Sequence, residues 1–133
     1  PYHYGGFGLR GSSHWNEEDK DNFEGMMKVL TSEGITAIKA SNHTRPRWVA
    51  VYGPIDGSES GLVIMNHPAS FRYPQPVRVH PKMPYFVYSP VVAGSFILKP
   101  GMTYKAGYRI VAFDGAPDAE RIEKWYEDYA GTD

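Results

Sequence analysis

The sequence has no cysteine, which excludes disulfides, thiolate zinc sites and cysteine nucleophiles. Net charge is nearly absent as well, 14 basic against 15 acidic side chains. Without a global field to gather phosphate backbones, nucleic acid is not an expected partner. Long apolar runs are missing too. The longest centres on Gly61 to Met65, far short of the ~20 residues of a membrane-spanning helix, so no membrane partner is expected. No Gly-x-Ser-x-Gly elbow occurs, which removes the serine-hydrolase arrangement built on it. Neither an initiator methionine nor a signal-peptide pattern opens the chain, which begins Pro1-Tyr2-His3. A processed product or a piece of something longer is the expectation.

What is present suits a folded core. The composition is 41% hydrophobic and 14% aromatic over 133 residues, enough for one domain spanning 1–133. Its 14 glycines and 11 prolines cut the middle of the chain every 8–12 residues, a spacing suited to short strands. Strands are expected over Met26–Thr31, Ile35–Lys39, Trp48–Tyr52, Gly61–Met65, Phe86–Tyr88, Ser95–Leu98 and Thr103–Phe113. In the last, Tyr104, Ala106, Tyr108, Ile110 and Ala112 share one face, and Lys105, Gly107, Arg109, Val111 and Phe113 the other. Large apolar groups on both faces imply cover on both sides.

One helix is clear. Asp114 to Pro117 makes a break, Asp118 and Glu120 suit the positive end of a helix dipole, and Ala119, Ile122, Trp125 or Tyr126, and Tyr129 form an apolar stripe ending at Gly131. Residues Asn16 to Met27 read as either a helix or a solvated loop, since Glu17-Glu18-Asp19 and Gly25 weaken the helical pattern. The fold class expected is all-β: an antiparallel β-sandwich with a C-terminal α-helix packed outside it.

Gly6-Phe7-Gly8-Leu9-Arg10-Gly11 matches a dinucleotide-binding pattern by letter. That chemistry needs a strand before the glycines and a helix after them, so that pyrophosphate sits on a helix end. Neither is present, and the stretch reads as a glycine-rich strand that allows close approach. The histidines His3, His14, His43, His67 and His80 show no zinc-protease spacing, and no metal or cofactor is expected. His67 stands out because it follows an apolar strand in Asn66-His67-Pro68. There it could serve as general acid or base, or tie down the proline turn by hydrogen bonds.

Arg10, Arg72 and Arg109 sit among apolar and aromatic neighbours, and each therefore needs an acceptor, whether a ligand oxygen or a structural one. Aromatics beside arginines and histidines, Tyr4 and Trp15 among them, suit stacking on the C–H face of a sugar. Carboxylates do not gather in the flanking pair that glycoside hydrolysis requires.

Tyr4-Gly5-Gly6-Phe7-Gly8-Leu9-Arg10, Arg47-Trp48-Val49, Gly61-Leu62-Val63-Ile64-Met65-Asn66-His67-Pro68, Phe71-Arg72-Tyr73-Pro74 and the run from Gly101 to Arg109 occur in an order, ending at Asp114-Gly115, that resembles the C-terminal half of a bacterial family labelled PmoA, or methane oxygenase-like. The resemblance covers nearly the whole chain. It implies a β-sandwich similar to part of the galactose mutarotase supersandwich, in secreted or periplasmic proteins of polysaccharide-degrading bacteria. It does not carry over methane chemistry, because a methane monooxygenase subunit is a membrane copper protein and no span or copper constellation is visible here. The resemblance also implies an N-terminal half, so that this half or another chain would cover exposed sheet edges.

The leading expectation is a carbohydrate-processing domain binding a saccharide or small molecule. His67 and His3 would supply acid–base chemistry, Arg10, Arg72 and Arg109 would hold oxygens, and Tyr4 and Trp15 would stack on the sugar. A non-catalytic binding or structural sandwich is the alternative. A third reading is a metal-assisted site on His3, His14 or His67, with ligands from elsewhere.

Overall fold

The computed structural model describes residues 5–133. Strands β1 (Phe7–Arg10), β2 (Lys28–Thr31), β3 (Trp48–Ile55), β4 (Ser58–Asn66), β5 (Val77–Val79), β6 (Tyr85–Tyr88) and β7 (Tyr108–Asp114) alternate with a one-turn helix α1 (Ile38–Ser41) and end in helix α2 (Ala119–Ala130). They form a four-stranded sheet, β2-β3-β4-β7, and a three-stranded sheet, β1-β6-β5. Every pairing is antiparallel.

The β3–β4 hairpin organises the larger sheet. Asp56 and Gly57 take φ of +50° and +79°, the left-handed pair that matches strand twist in a two-residue hairpin turn. The turn sets the register from Ile55 opposite Ser58 to Trp48 opposite Met65. Along these strands both alternating sets are apolar, because both faces are covered. Val49, Val51 and Ile64 face the smaller sheet and join Val77, Val79, Phe86 and Tyr88 in the inter-sheet core. Trp48, Ala50, Val63 and Met65 face the opposite way and meet Ile122 and Tyr126 of α2. The result is three layers: small sheet, large sheet, helix.

Helix α2 starts at Asp118, whose side chain accepts hydrogen bonds from the backbone N–H groups of Glu120 and Arg121 at 3.1 and 3.3 Å. Glu123 fastens it to β3 by accepting from Arg47 Nη2 at 2.6 Å and from Trp48 Nε1 at 2.7 Å. Among the described residues no helix is long and apolar enough to cross a membrane.

The sandwich is closed on one side and open on the other. On the closed side α1 packs against β2 and β5. His43 N donates to Val77 O at 2.7 Å, and Val79 N to Asn42 Oδ1 at 3.0 Å. On the open side the two sheets end in β1 and β7, with the Phe7 ring stacked 4.5 Å from that of Tyr108. Farther along β7 the inward side chains Ile110 and Ala112 are exposed, Ile110 to 46%. There the layers gape.

Three expected strands differ from what forms. Residues 35–39 do not extend a strand; α1 begins at Ile38, which contributes to the inter-sheet core from a helical turn. Residues 95–98 form no strand, and follow a 3-10 turn at Pro90–Ala93. The last strand begins at Tyr108 and not at Thr103, because its partner β4 ends at Asn66. Beyond that point the chain turns at Pro68, which has no N–H for a ladder, and only single bonds such as His67 N to Gly107 O at 2.9 Å continue. Residues 16–27 are turns and loop, not helix. The glycine-rich stretch forms antiparallel edge strand β1, so no nucleotide-binding strand–helix unit arises. Strand β5, three residues between prolines, is too short to show a period of two.

Candidate functional site

The gape between the layers holds a cleft of about 700 Å³, within the size range of small-molecule sites. Leu9, Leu62 and Phe113 line its apolar part, while Arg10, Ser12, Ser60, Asp114 and Arg121 bring polar groups to it. Each arrives by a different route. Arg10 ends β1. Ser60 and Asp114 face one another in register across β4 and β7, and Ser60 Oγ donates to Asp114 Oδ1 at 3.3 Å. Ser12 precedes the 3-10 turn at Ser13–Trp15 and accepts from His14 N at 3.2 Å, which leaves its own O–H to donate elsewhere. Arg121 reaches the cleft from the first turn of α2.

Two guanidinium groups face one carboxylate here. Arg10 lies 6.0 Å from the Tyr85 ring centroid and Arg121 lies 4.8 Å from that of Trp125. Neither is in an ion pair among the described residues. The cleft therefore carries an excess positive charge and a mixed apolar and polar lining. Such a site can hold an anionic or polyhydroxylated ligand through charge-assisted hydrogen bonds. No pair of carboxylates lines the cleft among the described residues.

Trp15 borders the cleft, as the sequence reading expects, but not as a stacking platform. It is only 5% exposed. Its indole N–H donates to Pro54 O at 2.9 Å. The ring is clasped between two glycines: a Cβ at Gly11 would lie 2.5 Å from its Cε3, and one at Gly53 2.6 Å from its Nε1. These two positions are glycine because the indole occupies the space of a side chain.

Of the other expected residues, His67 lies past the end of β4, about seven residues or roughly 23 Å of strand from Ser60 at the cleft. Its ring touches Tyr129 edge-on with centroids 5.0 Å apart. Its Nε2 hydrogen-bonds Thr132 O at 2.8 Å, and its Nδ1 accepts from Ala69 N at 3.0 Å. Both ring nitrogens are thus spent on backbone, the turn-fastening role. Arg10, at the end of β1 in the small sheet, lines the cleft beside Ser60, whereas His67 lies past the far end of β4 and does not line it.

The remaining arginines have structural acceptors. Arg72 donates to Pro90 O at 2.8 Å and Gly94 O at 2.5 Å, with Phe71 and Phe96 beside its guanidinium. Arg109 pairs with Asp128 at 3.1 Å over the Tyr129 ring. Of the three, only Arg10 lines the main cleft. His3 and Tyr4 lie outside the described residues.

Sequence reading missed Ser12, Ser60, Asp114 and Arg121. Asp114 reads locally as a turn residue, and Ser60 as part of a polar hairpin end. Only cross-strand pairing brings them together. Arg121 does have a signal, because it flanks the apolar stripe of α2 on the side that passes the cleft.

Other polar networks belong to the layers. Burial raises the phenol of Tyr88, whose O–H donates to Pro46 O at 3.0 Å. It also raises those of Tyr108, bonded to Gln75 Oε1 at 2.5 Å, and Tyr126, bonded to the Tyr73 hydroxyl. A hydrogen bond from Lys28 to Glu59 raises the lysine.

A family model described as a family of unknown function, DUF6807, matches residues 1–127. The chain belongs to DUF6807. No curated protein and no solved structure matches it. For this DUF6807 chain, the residues around the cleft are therefore the footing for a functional reading.

Proposed function

We propose that this DUF6807 chain is a carbohydrate-binding β-sandwich whose cleft takes a saccharide bearing a carboxylate. The observation that carries the reading is the convergence of Arg10 and Arg121, without ion-pair partners among the described residues, on a cleft also edged by Ser12, Ser60 and Asp114. Hydroxyls and one carboxylate suit sugar hydroxyls, and two guanidinium groups suit the acid group in bidentate geometry. Binding without acid–base catalysis is favoured, because His67 is tied to backbone at the far end of the sheet and the cleft has one carboxylate.

The test is calorimetric titration with uronate-containing and neutral oligosaccharides of matched length. Acidic oligosaccharides should bind and neutral ones should bind more weakly. Arg10→Ala and Arg121→Ala should each weaken binding by about 10-fold or more, the worth of a charge-assisted hydrogen bond. Absence of saccharide binding, or an affinity in both variants unchanged from that of the unaltered protein, defeats the proposal.

A second reading rests on the open side. Edge strands β1 and β7 lie together, both without a lateral partner among the described residues, with Ile110 between the layers 46% exposed. That arrangement supports an interaction module extended by further strands. Fast amide exchange along the outer edge of β7, slowed by a binding partner, would favour it; slow exchange in the isolated chain would count against it.

A further inference from the structure

Behind Trp15, away from the cleft, the segment 11–25 folds over the tip of the β3–β4 hairpin. The His14 carbonyl accepts from the N–H groups of Glu24 at 2.8 Å and Gly25 at 3.3 Å. The Trp15 indole reaches Pro54 O, and Gly25, at φ +156°, comes close to the Pro54 ring. These ties bring together three side chains that are far apart in sequence. Ligand atoms of His14, Glu24 and Asp56 lie within 4.8 Å of one another. Asp56 is held in place by the left-handed hairpin turn.

His14 Nδ1 is the informative atom. It is shielded from solvent and makes no hydrogen bond, although Glu24 Oε1 is only 3.1 Å away. The distance permits a bond, but the direction of the ring N–H does not. Ligands at ~2.0–2.2 Å from a zinc ion, subtending an angle between square and tetrahedral, stand roughly 2.8–3.6 Å apart. The observed 3.1 Å between His14 Nδ1 and Glu24 Oε1 falls within that range. One imidazole with two carboxylates is a donor set of the zinc class, whereas calcium takes six to eight oxygens.

We propose that His14, Glu24 and Asp56 bind a dication of the zinc class. His14 contributes Nδ1, each acid contributes one carboxylate oxygen, and water completes the shell. Glu24 and Asp56 are exposed, so rotation of their side chains brings their oxygens to bonding distance. Two carboxylates balance the charge of the ion. Bound metal fastens segment 11–25 to the hairpin and holds Trp15 in the wall of the cleft. The site does not depend on the saccharide reading, and either can fail alone.

The test uses chelator-stripped, untagged protein titrated with zinc chloride and, separately, calcium chloride by calorimetry. One zinc per chain should bind, with calcium at least ~100-fold weaker. Asp56→Asn keeps a residue tolerant of left-handed backbone, so the hairpin should fold, yet zinc affinity should fall by about 10-fold or more. His14→Gln should abolish binding. Saturating zinc should raise Tm by about 5 °C or more in the unaltered protein, by less in Asp56→Asn and not at all in His14→Gln. A Kd weaker than ~100 μM would leave a simple His14–Glu24 ion pair and overturn the proposal. Zinc affinity in either variant unchanged from the unaltered protein, or calcium binding as tightly as zinc, would overturn it too.

Discussion

Replacing Glu123 by alanine tests how the helical layer is held. The carboxylate is the acceptor for two donors, Arg47 Nη2 at 2.6 Å just before β3 and Trp48 Nε1 at 2.7 Å at its start. Trp48 is 2% exposed, so its indole N–H would lose its acceptor in a place water reaches poorly. An unsatisfied buried donor costs about 1–3 kcal/mol. The Arg47 side chain is 40% exposed and that of Glu123 34%, so the ion pair adds only about 0–1 kcal/mol after solvent screening. The sum is about 1–4 kcal/mol, or about 4–14 °C in Tm for a chain of this size. Glu123→Gln retains an acceptor for the indole and should lose only about 1 kcal/mol. Thermal melts followed by circular dichroism would measure both. In a Trp48→Phe background the donor is gone, and Glu123→Ala should then cost under about 1 kcal/mol. The reasoning fails if Glu123→Ala melts within about 2 °C of the unaltered protein. It fails equally if the cost is unchanged in the Trp48→Phe background.

Gly61→Ala should destabilise by about 2–3 kcal/mol in urea unfolding, since the new Cβ would press on the Val51 carbonyl and lie 2.8 Å from Phe113 Cζ. A change under about 0.5 kcal/mol would show that these strands yield more than packed cores do. His67→Ala should cost about 1 kcal/mol through its two backbone hydrogen bonds and leave cleft binding unaltered; a loss of saccharide affinity at equal stability would restore a functional role to the ring. Burial raises the phenols of Tyr88, Tyr108, Tyr126 and Tyr129. The folded state therefore keeps protons that the unfolded state releases, and stability, full below the ordinary tyrosine pKa of ~10, should fall as pH rises above it. In an alkaline absorbance titration some of the ten tyrosines should ionise only as the fold melts; one reversible step for all of them, with the fold intact, would refute this.

The sequence by itself determined the layers. Short apolar runs between glycines and prolines mark strands, and apolar residues on both alternating faces of the last run, 103–113, call for cover on two sides, although Ile110 and Ala112 on its inward face stay exposed. The stripe Ala119, Ile122, Tyr126, Tyr129 supplies the helix for one of those sides. These signals are local, because burial acts on each side chain according to the face it occupies. It also showed that Arg72 and Arg109 need acceptors, though not that carbonyls and Asp128 would provide them. Tertiary structure alone decided which polar groups meet. Ser60 reaches Asp114 through strand register, Arg121 arrives through the docking angle of α2, and His14 meets Asp56 because a loop folds onto a hairpin tip. The separation of Arg10 from His67 has the same origin: Arg10, at the end of β1, meets the cleft beside Ser60 near the start of β4, and His67 lies past the other end of that strand. No pattern along the chain records that distance, because it follows from where nonlocal pairing begins and stops.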